Sequence, residues 1–260
     1  MGTIRKGFVT QLGMDYQEAL ARAREYDFDF VELLMDGALE RGRLAELSQE
    51  IRLLARQNDL DLLVHLPFRL DVGSPFEHVR EGALRELEAA IETAVEVGAE
   101  KGIVHATSGA WAPAWTEREI QPLVFDSVRR LDEFGAARDF EICVENIPGG
   151  FVDTDDFDRL LVETDASMTL DTGHARMDGL RSEEQAAFVA DHVDRISHFH
   201  LNDTRLPEDE HLPFGSGDID FERIFEPLRA TDWSGTLSLE VFTLDYRYVR
   251  ESKRRLDALV

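Results

Sequence analysis

The chain has one cysteine among its 260 residues, so no disulfide can join two of its own residues, and a lone thiol suits a reducing cytoplasm. Cys143 lies inside the apolar run EICVE and reads as a small core residue. No stretch approaches the roughly 18 apolar residues of a membrane span. The opening MGTIRKGFVTQL lacks the apolar centre of a secretory signal. There is no GxGxxG after the first strand-like run and no P-loop, so nothing supports an open doubly wound sheet that binds nucleotides. No linker or low-complexity tract interrupts residues 1–260, and one domain is expected over the whole length. Lysine is nearly absent. Of 28 Lys and Arg, only Lys6, Lys101 and Lys253 are lysine.

Against those 28 cations stand 53 Asp and Glu, for a net charge of −25. Such acidity argues against a nucleic-acid partner, because phosphate binding wants Lys and Arg. A second reading competes with that one. Excess acid with almost no lysine resembles the proteins of salt-loving archaea, and a halophilic archaeal source is the expectation. At molar salt the screening length falls to about 3 Å, so the acidity counts against DNA only mildly.

What the chain does have is a repeated ending. LLVH closes on His65, GIVH on His105, ICVE on Glu145, MTLD on Asp171, ISHFH on His200 and LSLE on Glu240. A loop carries Asp209 and His211, and His174 follows Asp171 by three residues. Short apolar runs followed by helical stretches read as buried parallel strands. Eight occur, near 4–11, 28–34, 61–66, 101–106, 140–146, 167–171, 195–201 and 236–242. Between them, helical spacing runs over 42–57 and 77–97. Capping boxes at Thr116–Glu119 and Ser182–Gln185 open two more helices, and 220–230 and 245–258 supply the last two. Eight strands alternating with helices predict a closed (β/α)8 TIM barrel, which typically needs about 250 residues. In that fold the strand ends converge on one face. An isolated buried charge costs several kcal/mol, so acids and imidazoles gathered there want a cation between them.

The stretches HLPFRLDVGSP (65–75), VHATSG (104–109), VENIPGG (144–150), LDTGHA (170–175), FHLNDTR (199–205), DEHLPFGSGDIDF (209–221) and LEVF (239–242) resemble the xylose isomerase-like barrel superfamily. That superfamily holds sugar and sugar-phosphate isomerases and epimerases, and endonuclease IV. The resemblance covers most of 60–242. It implies a divalent cation (Mn, Co, Mg or Zn) held by Glu145, Asp171, His200 and Glu240. Glu145 and Glu240 would also be the acid/base pair for proton transfer through a metal-held cis-enediolate. His174 and Arg205 are implied as substrate contacts, and the substrate as a sugar or sugar phosphate. The same resemblance carries an alternative: a multi-zinc phosphodiesterase acting on abasic DNA, with two or three Zn held by those four residues together with His65, His105, His174, Asp209 and His211. A dehydratase is the third class.

Other residues read less sharply. His198 shares strand parity with His200 and reads as a core residue or as support for a ligand, with direct ligation as the alternative. Glu32 either lines the pocket or caps a loop. Trp111 and Trp115 either stack on a sugar face or pack within their loop. His78 and His192 fall on helical surface, and the acids at 153–158 and 183–184 read as helix starts. A single catalytic face leaves helical surface free for a homodimer.

Overall fold

The computed structural model describes residues 2–11, 13–206 and 208–260. Met1 and Leu12 of the opening stretch and Pro207, just before the Asp209–His211 loop segment, therefore lie outside the described residues. Eight parallel strands close on themselves in sequence order: β1 (Ile4–Val9), β2 (Phe30–Leu34), β3 (Asp61–His65), β4 (Lys101–His105), β5 (Glu141–Glu145), β6 (Ser167–Asp171), β7 (Ile196–Leu201) and β8 (Gly235–Leu239). The seam is a five-residue register between β1 and β8, from Ile4 opposite Gly235 to Phe8 opposite Leu239. The fold is the expected TIM barrel.

Between strands lie α1 (Tyr16–Glu25), α2 (Arg41–Gln57), α3 (Glu77–Val97), α4 (Glu117–Ala136), α5 (Phe157–Glu163), α6 (Thr172–Met177), α7 (Ser182–His192), α8 (Phe221–Ile224), α9 (Glu226–Ala230) and α10 (Tyr246–Leu256). Three details depart from the sequence reading. The stretch 220–230 is two short helices, because Pro227 in the first turn of α9 has no N–H to continue the ladder. The N-terminus of α7 is capped by Glu184, which accepts from Arg181 N at 2.8 Å. Ser182 Oγ instead accepts from Asp220 N, and Gln185 is buried, donating to Thr172 O and Leu180 O. The first strand ends at Val9.

Alternation along each strand sorts side chains into two interiors. Outward residues such as Phe8, Val31, Leu33, Leu62, Val64, Ile142, Val144, Leu170, Phe199 and Leu237 join the helices in one apolar core. Phe199, for example, meets the rings of Phe225 and Trp233 edge-on. Burial of this kind is worth roughly 25 cal/mol per Å² and holds the helices to the barrel. Inward residues are largely polar. Lys101, Glu32, Thr169, His198, Thr236 and Ser238 are all buried in the lumen, with Phe30 beside them. Gly7 makes room for that phenylalanine, since a Cβ there would collide with its ring.

Candidate metal centre

Strand register brings the polar endings level. His105 pairs across with Glu145, and Asp171 with His200. Glu145, Asp171, His200 and Glu240 each offer a ligand atom, and these atoms lie within 4.8 Å of one another, all buried. His200 Nδ1 is 3.0 Å from Glu145 Oε1 and 3.3 Å from Glu240 Oε2. The Oε2 atoms of Glu145 and Glu240 are buried without an aligned hydrogen bond, although His105 Nε2 lies 2.9 Å from the former. Two carboxylate oxygens so placed in one buried cluster are costly, and an oxygen-rich set with one imidazole suits Mn, Mg or Co. The residues fit a divalent cation.

The remaining histidines of the sequence reading converge on the same face. His65 Nε2 lies 3.5 Å and His105 Nε2 2.9 Å from Glu145 Oε2, with the two ring nitrogens 3.2 Å apart. His174 Nε2 is 3.4 Å and His211 Nε2 3.0 Å from Asp209. Three of these rings are aimed by their backbones. His65 Nδ1 meets Leu66 O, His174 Nδ1 meets Asn146 O and His211 Nδ1 meets Glu240 O, at 2.9 to 3.2 Å. A carbonyl accepts only, so each Nδ1 carries a proton, and whenever the ring is neutral its lone pair is at Nε2, facing the site. His211 also sits at φ 45°, an uncommon backbone for a non-glycine residue. Its ring is stacked on Phe242 at 3.9 Å.

Motif neighbours hold these ligands in place. Asn146, next to Glu145, accepts from Asp171 N and donates to Asp171 O. Asn202 donates to Asp171 Oδ2 at 2.7 Å. Gly173 is required at this contact, because a Cβ would strike Asn202 Oδ1. Asp203 accepts four backbone N–H bonds, from Thr204, Gly215, Gly217 and Ile219, at 2.7 to 3.1 Å. It thereby folds the loop that carries Asp209 and His211. Neither Asn146 nor Asn202 stood out in the sequence, although each is adjacent to a strand-end motif. Glu32 is fully buried beneath the cluster, with Oε1 taking His200 Nε2 at 3.0 Å.

The charges are set by these contacts. Burial would raise Glu145, but His200, His105 and His174 outweigh it and hold the carboxyl well below its usual range. Burial raises Asp171 to about 6, aided by Glu240 and Glu145. Burial opposes charge on His200, yet Glu145, Glu32 and Glu240 raise it well above the usual imidazole value. His211, likewise buried, is raised to about 9 by Glu240, Asp209 and Asp171. Burial lowers His198 to about 4 against the pull of Glu32. Protons thus occupy positions that a cation would take.

A cavity of about 630 Å³ opens above the cluster, lined by His65, Phe68, Arg69, His105, Glu145, His174, Asp209, His211, Glu240 and Phe242 among others. Arg205 and Trp111 do not line it. Arg205 grips Glu210 at 2.6 and 3.0 Å with its side chain 64% exposed, and Trp111 is 72% exposed. Trp115 packs against the core. His78 is exposed, while His192 lies 2.8 Å from Asp158. Asp153 accepts from Asp155 N at the turn before α5. No helix is long and apolar enough to cross a membrane among the described residues.

Comparison with known proteins places this arrangement. A family model described as a xylose isomerase-like TIM barrel matches residues 20–259. An uncharacterized protein of Methanocaldococcus jannaschii is 26% identical over 234 residues, 85% of this chain and 78% of that one. An inosose dehydratase of Geobacillus thermodenitrificans is 32% identical over 149 residues, so the match spans about half (49%) of each protein. Among solved structures, a D-tagatose 3-epimerase-like protein superposes with a TM-score of 0.82 at 25% identity, covering 98% of this chain and 96% of that one.

Proposed function

The chain belongs to the xylose isomerase-like TIM barrel family, and from that premise we propose that it is a divalent-metal-dependent epimerase or isomerase of a sugar or sugar phosphate. One observation carries the reading: the buried Oε2 atoms of Glu145 and Glu240, neither in an aligned hydrogen bond, share a cluster with Asp171 and His200 that opens into a sugar-sized cavity. Glu145, Asp171, His200 and Glu240 would hold the cation. When bound, it polarises a substrate carbonyl and acidifies the adjacent C–H. Glu145 comes from β5 and Glu240 from the end of β8, so the two carboxylates approach from different arcs of the barrel. One takes the C–H proton, and the other returns a proton to the enediolate. Arg69 is the one Arg or Lys among the described lining residues. It takes the anchoring role first given to Arg205, whose guanidinium is neutralised by Glu210.

The solved relative whose name includes D-tagatose 3-epimerase makes ketoses the first substrates to try. The test is solvent exchange: ketoses and their phosphates are incubated in D₂O with Mn²⁺, Co²⁺ or Mg²⁺ and followed by NMR. Deuterium entering the carbon beside the carbonyl supports the reading. No exchange in any ketose with any of the three metals would overturn it. Water loss from an inosose without such exchange would point instead to the dehydratase chemistry in the partial relative's name.

A second reading is favoured by the three backbone-aimed histidines. The sets His65–His105–Glu145 and His174–Asp209–His211 each gather three ligand atoms beside the main cluster. Two or three Zn would then serve a phosphoester such as abasic DNA. Elemental analysis decides between them, with one metal per chain for the first reading and two or three Zn for the second. We also propose that residues 1–260 act as one functional unit in a reducing cytoplasm, with the acidic, lysine-poor surface adapted to high salt and the helical exterior free to pair two copies.

A further inference from the structure

The lumen beneath the site contains a continuous file of polar side chains that proton transfer at the cavity does not use. At the far end, Lys101 Nζ donates to Ser197 O at 2.9 Å, to Ser197 Oγ at 2.7 Å and to Thr236 Oγ1 at 3.2 Å, and it is ion-paired with Glu141 Oε2 at 3.2 Å. Thr236 Oγ1 lies 2.6 Å from His198 Nδ1. His198 Nε2 lies 3.2 Å from Glu32 Oε2, which also accepts from Ser238 Oγ. Glu32 Oε1 faces His200 Nε2 at 3.0 Å, and His200 Nδ1 faces the cluster. Glu32, His198, His200, Thr236 and Ser238 have no exposed surface.

The direction of this file follows from what each group can do. An ammonium only donates, so Thr236 Oγ1 accepts from Lys101. The threonine proton has two acceptors in reach, Ser197 O at 3.3 Å and His198 Nδ1 at 2.6 Å. The carbonyl can accept a second bond, but the carboxylate of Glu32 beside Nε2 needs a hydrogen there, so the neutral imidazole accepts at Nδ1 and the nearer threonine proton points to it. A neutral imidazole that accepts at Nδ1 carries its hydrogen at Nε2 and donates it to Glu32. Glu32, an acceptor at both oxygens, then demands a hydrogen on His200 Nε2. In the neutral ring that would ligate a cation, the lone pair is then the one at Nδ1, beside Glu145 and Glu240; in the metal-free protein that nitrogen carries a second proton.

The geometry points to Glu32 as a positioning residue that fixes the tautomer and ring plane of His200 for the cation, with Lys101 setting the direction of the file from the opposite end of the barrel. A carboxylate behind a ligating imidazole orients the ring and raises its basicity. Here that carboxylate has its own supporting shell, drawn from β4, β7 and β8. The inference rests on the metal reading above, and its test separates the two.

Metal-free full-length protein and the variants Glu32→Gln and Lys101→Met are titrated with Mn²⁺ by calorimetry, and Co²⁺ complexes are recorded by visible absorption. Circular dichroism checks the fold. A glutamine carbonyl can keep at most the two donors that share one oxygen, His198 and Ser238, and then sets its N–H₂ against His200 Nε2. We expect Glu32→Gln to weaken Mn²⁺ binding by about 10–100-fold and to shift the Co²⁺ bands. Lys101 touches no ligand of the cluster, and its loss should weaken binding by a smaller factor, about threefold, below the range for direct support. Parent-like affinity and bands in both variants would overturn the inference. A loss in Glu32→Gln alone would overturn the directed file and leave Glu32 as a local support. Should Glu32→Gln fail to fold, Lys101→Met decides: unchanged affinity and bands reject the file. A parent protein that binds no Mn²⁺ at all would instead sink the metal reading itself.

Discussion

At the scale of single residues, the two carboxylates carry the sharpest expectation. Glu145→Gln or Glu240→Gln should reduce turnover by about 10²–10⁴-fold, the usual worth of a positioned acid or base, while circular dichroism stays unchanged. A variant keeping more than about a tenth of parent activity would remove that residue from the acid/base role. His211 gives a second expectation, on pH. Its folded-state value, about 9, stands above the ordinary imidazole value. Its contribution to the stability of the metal-free protein is therefore complete below about 6.5 and is lost as pH rises through 9. Metal affinity should move the other way, because a charged His211 beside the ligand Glu240 repels a divalent cation. Melting curves with and without Mn²⁺ from pH 6 to 9.5 should thus diverge, and the gap should narrow in His211→Asn. Parallel curves would reject the assignment. The ligand types were legible in the sequence because each one ends an apolar strand. Arg205 could not be judged there, since its neutralising partner Glu210 lies on the far side of an irregular loop turn.

At the scale of elements, most of the frame could be read from periodicity, and what escaped has physical reasons. The seven-residue α5 and six-residue α6 are too short for an apolar stripe to repeat. The break between α8 and α9 depends on Pro227, whose effect varies with its place in a turn. Glu32 was undecided because strand parity alone cannot say that a lumen is polar. That fact needs His198 and Ser238 as neighbours, and they are 166 and 206 residues away in sequence. The β7–α8 loop shows the reverse case, where a motif stands for a tertiary device. Asp203 holds this loop by four backbone N–H groups while fully buried. Asp203→Ala should leave those donors unpaired and destabilise the protein by about 3 kcal/mol or more. Limited proteolysis should then cut within 208–219 first. A variant as stable and as resistant as the parent would show that the loop is held by other contacts.

For the whole molecule, the cluster sits above a barrel whose apolar core does not depend on it. Chelation by EDTA should therefore abolish turnover and leave the far-ultraviolet dichroism intact, whereas loss of the spectrum would make the cation part of the fold. The charge of −25 acts over the same scale. Self-repulsion destabilises a compact acidic chain, and salt screens it. Many of the acids are paired with arginine at the surface, as in Arg41–Glu86, Arg130–Glu88 and Arg223–Glu183, and such pairs are worth little each. Raising salt from 0.1 M to 2 M should thus raise the melting temperature, while full stability in dilute buffer would refute adaptation to salt.

The polar file through the lumen has a consequence for how this sequence can drift. Donor must meet acceptor at every step from Lys101 through Thr236, His198 and Glu32 to His200. A change at one of these positions strands a buried partner on the next strand. Their histories are therefore tied: across descendants they should be inherited together or replaced together, while the apolar residues on the other face of the same strands exchange freely by size.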